Sequence, residues 1–440
     1  MRKKSLILFF IFIIATLQSQ NNFIWNSKKD KIKIPFELTH NLIIVDVNFN
    51  GIPLKMIADT GAENSILFSF PEKDSLVLHE ADKIKIKGVG SGEMIEAYLS
   101  KMNKLIIKEY EDVNFEILLL PNQDISIVNK LGLPINGILG SSFFESSLTE
   151  IDYRNKKIIL HKKKIQFNDS RIKRYEPILI DFNERKPYVK IPITINEEEK
   201  RYKLLFDTGL GDGLWLFEND TLKSDKYFFN DILGVGLSGE INGKRSRIKK
   251  INLPGLSLKE ALVSYPDNIS FNQITIQKDR NGSLGGDVLK RFNWFLDYEN
   301  KVFYCKKNNL SSLPFEYNMS GIEVQHSGSQ LIKESVRIDL KNNQVNLNEF
   351  VFDNNDLRYA QKYELKPVFS IYAIRKNSPG DKAGLQIGDK IIKINNKMAH
   401  QLTIQSITDL FQSEDGKWIT MTIERGGKQF TVKFQLEKIL

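Results

Sequence analysis

Two segments of the chain alternate apolar and polar positions in the same way. Asn41-Leu42-Ile43-Ile44-Val45-Asp46-Val47-Asn48-Phe49-Asn50-Gly51 and Pro187-Tyr188-Val189-Lys190-Ile191-Pro192-Ile193-Thr194-Ile195-Asn196 are β-branched runs that suit strands with one buried face. Each leads through a polar turn into a second apolar run, Met56-Ile57-Ala58 or Leu204-Leu205-Phe206, which ends in Asp-Thr-Gly. Further on, Gly88-Val89-Gly90-Ser91-Gly92-Glu93 is echoed by Gly234-Val235-Gly236-Leu237-Ser238-Gly239-Glu240. The units also close alike, because residues 136–153 align without a gap to residues 281–298 at a constant offset of 145. The two aspartates, Asp59 and Asp207, differ by 207 − 59 = 148, so the units are nearly equal in length. Repeats this long exceed solenoid units and predict two duplicated lobes facing each other.

The Asp-Thr-Gly turn has a physical logic. An aspartate at a strand end projects its carboxylate into a cleft. A threonine can hydrogen-bond across a two-fold axis, and a glycine lets the backbone pass where a side chain would clash. Two such carboxylates a few ångström apart cannot both ionise and so share a proton. One can then draw a proton from a water while the other gives one to a carbonyl, which is peptide hydrolysis without a covalent intermediate.

On these motifs, about 270 residues of the chain resemble the aspartic peptidase superfamily, pepsin-like and retropepsin-like. The family's two apolar residues and glycine, placed late in each lobe, are matched by Ile138-Leu139-Gly140 and by Leu284-Gly285, with Ser283 in the first apolar place. The resemblance implies that Asp59 and Asp207 are the catalytic pair. It makes Thr60 and Thr208 the threonines that bond between lobes, and Gly61 and Gly209 the close-approach glycines. Gly88, Gly90, Gly92, Gly234 and Gly236 resemble flap hairpins that close over substrate. One position departs from the pattern: the residue after Asp-Thr-Gly is usually small, as Ala62 is, but Leu210 is not. A branched side chain there crowds the loop unless Gly211 and Gly213 reroute it.

Beyond residue 307 the composition changes, and 308–314 reads as a linker. Residues 378–396, from Ser378-Pro379-Gly380 through Gly384-Leu385 and Gly388-Asp389 to Asn395-Asn396, resemble bacterial PDZ domains. Thr403–Phe411 is then the groove helix, followed by strands at 418–424 and 429–435. Such a domain adds a peptide as a strand beside that helix and holds its C-terminal carboxylate on backbone amides. Ser320, Gly321 and Ile322 are the candidate capture loop, which requires a long insertion before Phe369.

The expected fold is mainly β: two retropepsin-like β-barrel lobes in a pepsin-like bilobal arrangement, then a β-rich, two-helix PDZ domain. The expected boundaries are 1–20 signal peptide, 21–165 first lobe, 166–307 second lobe, 308–314 linker and 315–440 PDZ domain. Arg2, Lys3 and Lys4 before the apolar stretch from Leu6 to Ala15 form a secretory pattern too short to span a bilayer comfortably. The expected location is secreted or periplasmic, with no stable membrane span after cleavage.

A hydrophobic fraction of 41% and a charged fraction of 27% fit a globular protein with substantial cores. The net charge of +9 lies in scattered lysines without interleaved aromatics, so no nucleic-acid partner is expected. A single cysteine, Cys305, excludes an intrachain disulfide and reads as a buried thiol. The histidines at 40, 79, 161, 326 and 400 are scattered, so neither a metal site nor a cofactor is predicted. Peptide or protein substrates are the expected partners, together with a C-terminal peptide for the PDZ domain. Two readings stay open: an aspartic endopeptidase using an Asp59/Asp207 dyad, and an inactive peptide-binding protein that keeps the lobes and the PDZ groove.

Overall fold

The computed structural model describes residues 23–69, 76–120, 126–132, 135–162, 164, 169–224, 226–271, 279–337, 351–352 and 359–440. The expected signal segment therefore lies outside the described residues. The fold is mainly β. The described strands form sheets of nine, thirteen and seven strands.

The sequence repeat reappears strand by strand. Leu42–Phe49 turns at Asn50-Gly51 into Ile52–Ala58, and Lys186–Ile195 turns at Asn196-Glu197 into Glu198–Phe206. Both turns have positive φ at both central residues (49° and 91°, 48° and 68°), the conformation whose twist matches paired strands. In each lobe a late, wholly buried strand is held on both sides. Gly137–Leu139 runs parallel to Ile52–Ala58 and antiparallel to Ser65–Leu67. Gly282–Leu284 runs parallel to Glu198–Phe206 and antiparallel to Leu214–Leu216. The loop that connects the two flanking strands is the one carrying Asp-Thr-Gly, so the late strand fixes it from behind.

The lobes meet in a shared platform that the sequence did not reveal. Strands Lys31–Pro35, Lys157–His161 and Leu148–Asp152 of the first unit join Phe292–Asp297, Val302–Lys307 and Glu176–Asn183 of the second. At its centre Thr149 pairs with Leu296, Glu150 with Phe295 and Ile151 with Trp294. Glu150 and Phe295 are equivalent residues of the two units, so the pseudo-two-fold axis passes between them. The boundary drawn at residue 165 thus divides the chain but not the sheet. Apolar residues of this platform, including Ile151, Ile158, Trp294 and Phe303, are fully buried, and Cys305 is buried among them. Burial pushes that thiol up to about 12, which makes it unreactive.

The segment expected to be a linker is packed rather than loose. Arg291, fully buried in the second lobe, donates to the carbonyls of Leu310, Leu313 and Pro314 and lies 3.7 Å from the ring centre of Phe315. The PDZ domain follows with helices Pro379–Lys382 and Ile404–Phe411, the latter capped by a reciprocal Thr403–Ser406 box. Its expected insertion is a long antiparallel arm, Ile322–Arg337 paired with Tyr359–Ile374. The domain is also tied to the second lobe's hairpin, because Arg375 bonds Asp231 at 3.3 Å and Arg245 bonds the same aspartate at 2.9 Å.

Candidate active site

The two Asp-Thr-Gly loops interlock at the pseudo-two-fold axis. Thr60 Oγ1 donates to Phe206 O and Thr208 Oγ1 to Ala58 O, both at 2.7 Å. Each hydroxyl oxygen also accepts the opposite threonine's amide, Thr60 N at 3.0 Å and Thr208 N at 3.1 Å. Both threonines are fully buried. Each lobe therefore completes the backbone bonding of the other, and loss of one hydroxyl strands buried partners at about 1–3 kcal/mol. From behind, Asp59 N donates to Leu139 O and Asp207 N to Leu284 O, at 2.9 and 3.0 Å.

This lock brings the two carboxyl groups close enough to act on each other directly. The glycines allow it. A Cβ on Gly61 would stand 2.7 Å from Asp207 Cγ, and one on Gly209 only 2.2 Å from Asp59 Cγ. Gly61 N and Ala62 N donate to Asp59 Oδ1 at 2.7 and 3.1 Å, whereas Asp207 Oδ1 accepts from Gly209 N at 3.1 Å. Burial and then the neighbouring Asp207 charge push Asp59 up to about 7. Burial also raises Asp207, but the Arg280 guanidinium and hydrogen bonds from Gly209, Asp59 and Ser283 oppose it. One proton on the pair below neutrality is the consequence.

Leu210 does not spoil the second loop. Its amide turns to Asp207 O at 3.4 Å, its carbonyl accepts from Gly286 N at 2.7 Å, and Gly285 N bonds Gly213 O at 2.9 Å. Gly211 sits where a Cβ would be 2.6 Å from His40 O, so the loop is rerouted as the flanking glycines suggested. The Leu210 side chain packs against the Trp215, Leu233 and Ile241 cluster beside Val89 and Phe271.

The flap-like hairpins of the two lobes meet each other, and their tips share apolar clusters with Ala62 and Leu210, the residues that follow the two Asp-Thr-Gly turns. Gly88, Gly90 and Gly92 lie in the loop between strands His79–Ile86 and Ile95–Ile107, and Gly234 and Gly236 on strand Phe228–Gly236. Their tips interlock: Gly88 N donates to Ser238 Oγ at 3.1 Å, Ser238 N to Val89 O at 3.1 Å and Gly92 N to Ser238 O at 2.5 Å. A Cβ on Gly236 would sit 2.0 Å from Val89 O, which explains a glycine at that crossing. Leu237 reaches the apolar cluster of the first lobe, and Val89 reaches that of the second.

The PDZ loop corrects one expectation. The amides of Ser320 and Gly321 donate to Asn318 Oδ1 at 3.0 and 3.2 Å, and Ile322 N donates to Ser320 Oγ at 3.1 Å. These three amides, assigned to carboxylate capture, are taken by the loop's own side chains and offer an incoming terminus nothing free. The groove beside them is covered too. Helix Ser126–Leu131 of the first lobe packs on both strand Ile322–Arg337 and helix Ile404–Phe411, with Lys130 Nζ 4.3 Å from the Tyr372 ring centre.

Sequence reasoning missed Arg280, and it noted Ser283 only as an irregularity. The aligned repeat held the signal: at the offset of 145, Arg280 and Ser283 stand where the first lobe has Ile135 and Ile138.

Comparison with known proteins agrees with this geometry. Residues 45–143 match the family model described as aspartyl protease, and residues 370–425 match the one described as PDZ domain. A curated relative is the "Probable CtpA-like serine protease" of Staphylococcus saprophyticus, 34% identical over 64 residues, or 14% of this chain. The chain spans 13% of that protein's length. The chain carries an aspartyl protease domain and, toward its C-terminal end, a PDZ domain.

Proposed function

We propose that this chain is a secreted or periplasmic aspartic endopeptidase in which Asp59 and Asp207 act on one water. The observation that carries this reading is the crossed threonine lock, which holds the two half-buried carboxyls side by side, where one proton serves both. The ionised carboxyl takes a proton from the water as its oxygen attacks the peptide carbonyl carbon. The protonated carboxyl gives its proton to the carbonyl oxygen, and the C–N bond then breaks as the amine is protonated. Substrate enters when the two flap tips, which bond each other in this form, part. The PDZ domain serves peptide or protein recognition, with the groove covered by Ser126–Leu131 in this form. Leu210, the residue that departs from the small-residue pattern, is accommodated without loss of the second Asp-Thr-Gly turn.

The test is cleavage of an unstructured peptide library by wild type and by Asp59→Asn, Asp207→Asn and the double variant. Each single substitution should lower turnover by several orders of magnitude, and the double should cost scarcely more, because the pair acts as a unit. Undiminished cleavage by Asp207→Asn would end the two-aspartate reading.

A further inference from the structure

The two lobes bond their aspartates differently. Asp59 accepts two loop amides, but in the second lobe the Leu210 amide has turned away to Asp207 O. Ser283, buried on the strand that pairs with the one ending at Asp207, stands in for that amide and pulls the Asp207 carboxyl down. The serine hydroxyl is itself oriented, because Arg280 Nη2 donates to Ser283 Oγ at 2.6 Å and so leaves the serine proton for the aspartate. The guanidinium is fixed by Nε donating to Gly282 O at 3.0 Å and by the Phe217 ring, 5.2 Å away. At the equivalent positions of the first lobe, Ile135 and Ile138 belong to a buried apolar cluster.

We propose that Ser283 and Arg280 polarise the dyad, holding the negative charge on Asp207 and the single proton on Asp59. Asp207 is then the base that takes the water's proton, and Asp59 the acid that protonates the carbonyl oxygen. This rests on the reading of the pair as the catalytic dyad. Ser283 and Arg280 act through Asp207 and are positioning residues. The titratable and charged groups facing the pair agree with this division. Asp207 interacts with the charge of Arg280 and with Tyr188 besides its partner, whereas Asp59 interacts with Tyr298, a partly buried tyrosine. Among the described residues, Arg280 acts on Asp207 and no cation is recorded acting on Asp59. The directions match as well, since Asp59 is pushed up to about 7 while Arg280 and Ser283 pull Asp207 down against its burial.

The experiment uses the full chain with Ser283→Ala, Arg280→Gln and Arg280→Lys. In Asp59→Asn protein, Asp207 titrates alone, and its carboxyl carbon can be followed by NMR whether or not peptides are cleaved. Ser283→Ala and Arg280→Gln should each raise that midpoint by about one pH unit, and Arg280→Lys should restore much of it. In protein with both aspartates, the acid limb of kcat/KM should move up by a similar amount, with kcat at the optimum reduced roughly tenfold. An unmoved Asp207 midpoint in all three variants would overturn the proposal, even if the dyad itself proves catalytic. So would unchanged pH limbs with a raised KM for acidic peptides alone, since the guanidinium would then be reading substrate. If wild type cleaves nothing while the midpoint still shifts, the dyad's catalytic role fails and the polarisation stands.

Discussion

The two lobes agree wherever backbone decides and differ wherever side chains fill space. Asn136 and Asn281 show the agreement: each accepts the amide of Lys55 or Lys203 at 2.9 Å and returns its own amide to the same residue's carbonyl at 2.8 Å. The threonine bonds across the axis agree as closely. Ile135, Ile138 and Ala62 in one lobe, against Arg280, Ser283 and Leu210 in the other, show the divergence. A position that closes a loop or crosses an axis has one workable residue, so duplication preserves it. A position that fills a pocket has several, and once two pockets face one substrate they are free to specialise. An aspartic site with both lobes in one chain can therefore be electrically asymmetric, which a site built from two identical chains cannot be in its sequence.

The largest expected effect breaks the shared part. Gly209→Ala puts a methyl group 2.2 Å from Asp59 Cγ, and Gly61→Ala one 2.7 Å from Asp207 Cγ. Either should force the carboxyls apart and lower kcat by roughly a hundredfold or more, as ångström-scale misplacement does. Steady-state kinetics on one peptide, with circular dichroism to verify the fold, decides it. Wild-type kcat in Gly209→Ala would show that close approach of the pair is not required.

Next come the threonines, where the lobes should behave alike. Thr60→Val leaves Phe206 O and the Thr208 amide without a partner, and Thr208→Val does the same to Ala58 O and the Thr60 amide. Each should cost about 1–3 kcal/mol in chemical denaturation. The double variant should cost less than the sum, because both changes dismantle one network. Clearly unequal single costs would mean that the lock is not symmetric in energy, whatever its geometry.

How much of this could be read from the chain follows from the same distinction. The duplicated strands, the two Asp-Thr-Gly turns and the paired glycine-bearing hairpins were legible as places in the fold because each depends on a short motif that occurs twice. The groove helix and the turn at Asn395 of the PDZ domain were legible for similar local reasons. The six-stranded platform was not, because its pairing depends on strands of two units meeting at an axis with no local motif. The packed linker was hidden too: its Ser-rich sequence reads as loose until Arg291 is seen to bind three of its carbonyls. The PDZ capture loop failed for a third reason. Ser320 and Gly321 have the right sequence, but Asn318, two residues earlier, supplies the acceptor that a ligand would bring.

The smallest effect tests the asymmetry through stability alone. The folded protein holds Asp59 protonated up to about 7, while the unfolded chain ionises it near its ordinary value of 3.8. A raised carboxyl of this kind contributes stability that is complete below the unfolded value and is lost as pH rises to and through the folded one. Asp59→Asn removes the ionisation and leaves the Asp207 carboxylate under the pull of Arg280 and Ser283. Its Tm should exceed that of wild type by a few degrees near pH 8 and match it near pH 4. Asp207→Asn also removes one negative charge, but it takes from the half-buried Arg280 guanidinium the carboxylate that favours its charge. It should gain less near pH 8, or lose. Calorimetric scans of the two variants at both pH values give the answer as a difference of differences. Equal gains would mean that the lobes are electrostatically interchangeable, and the contrast between Ile135–Ile138 and Arg280–Ser283 would then be packing and nothing more.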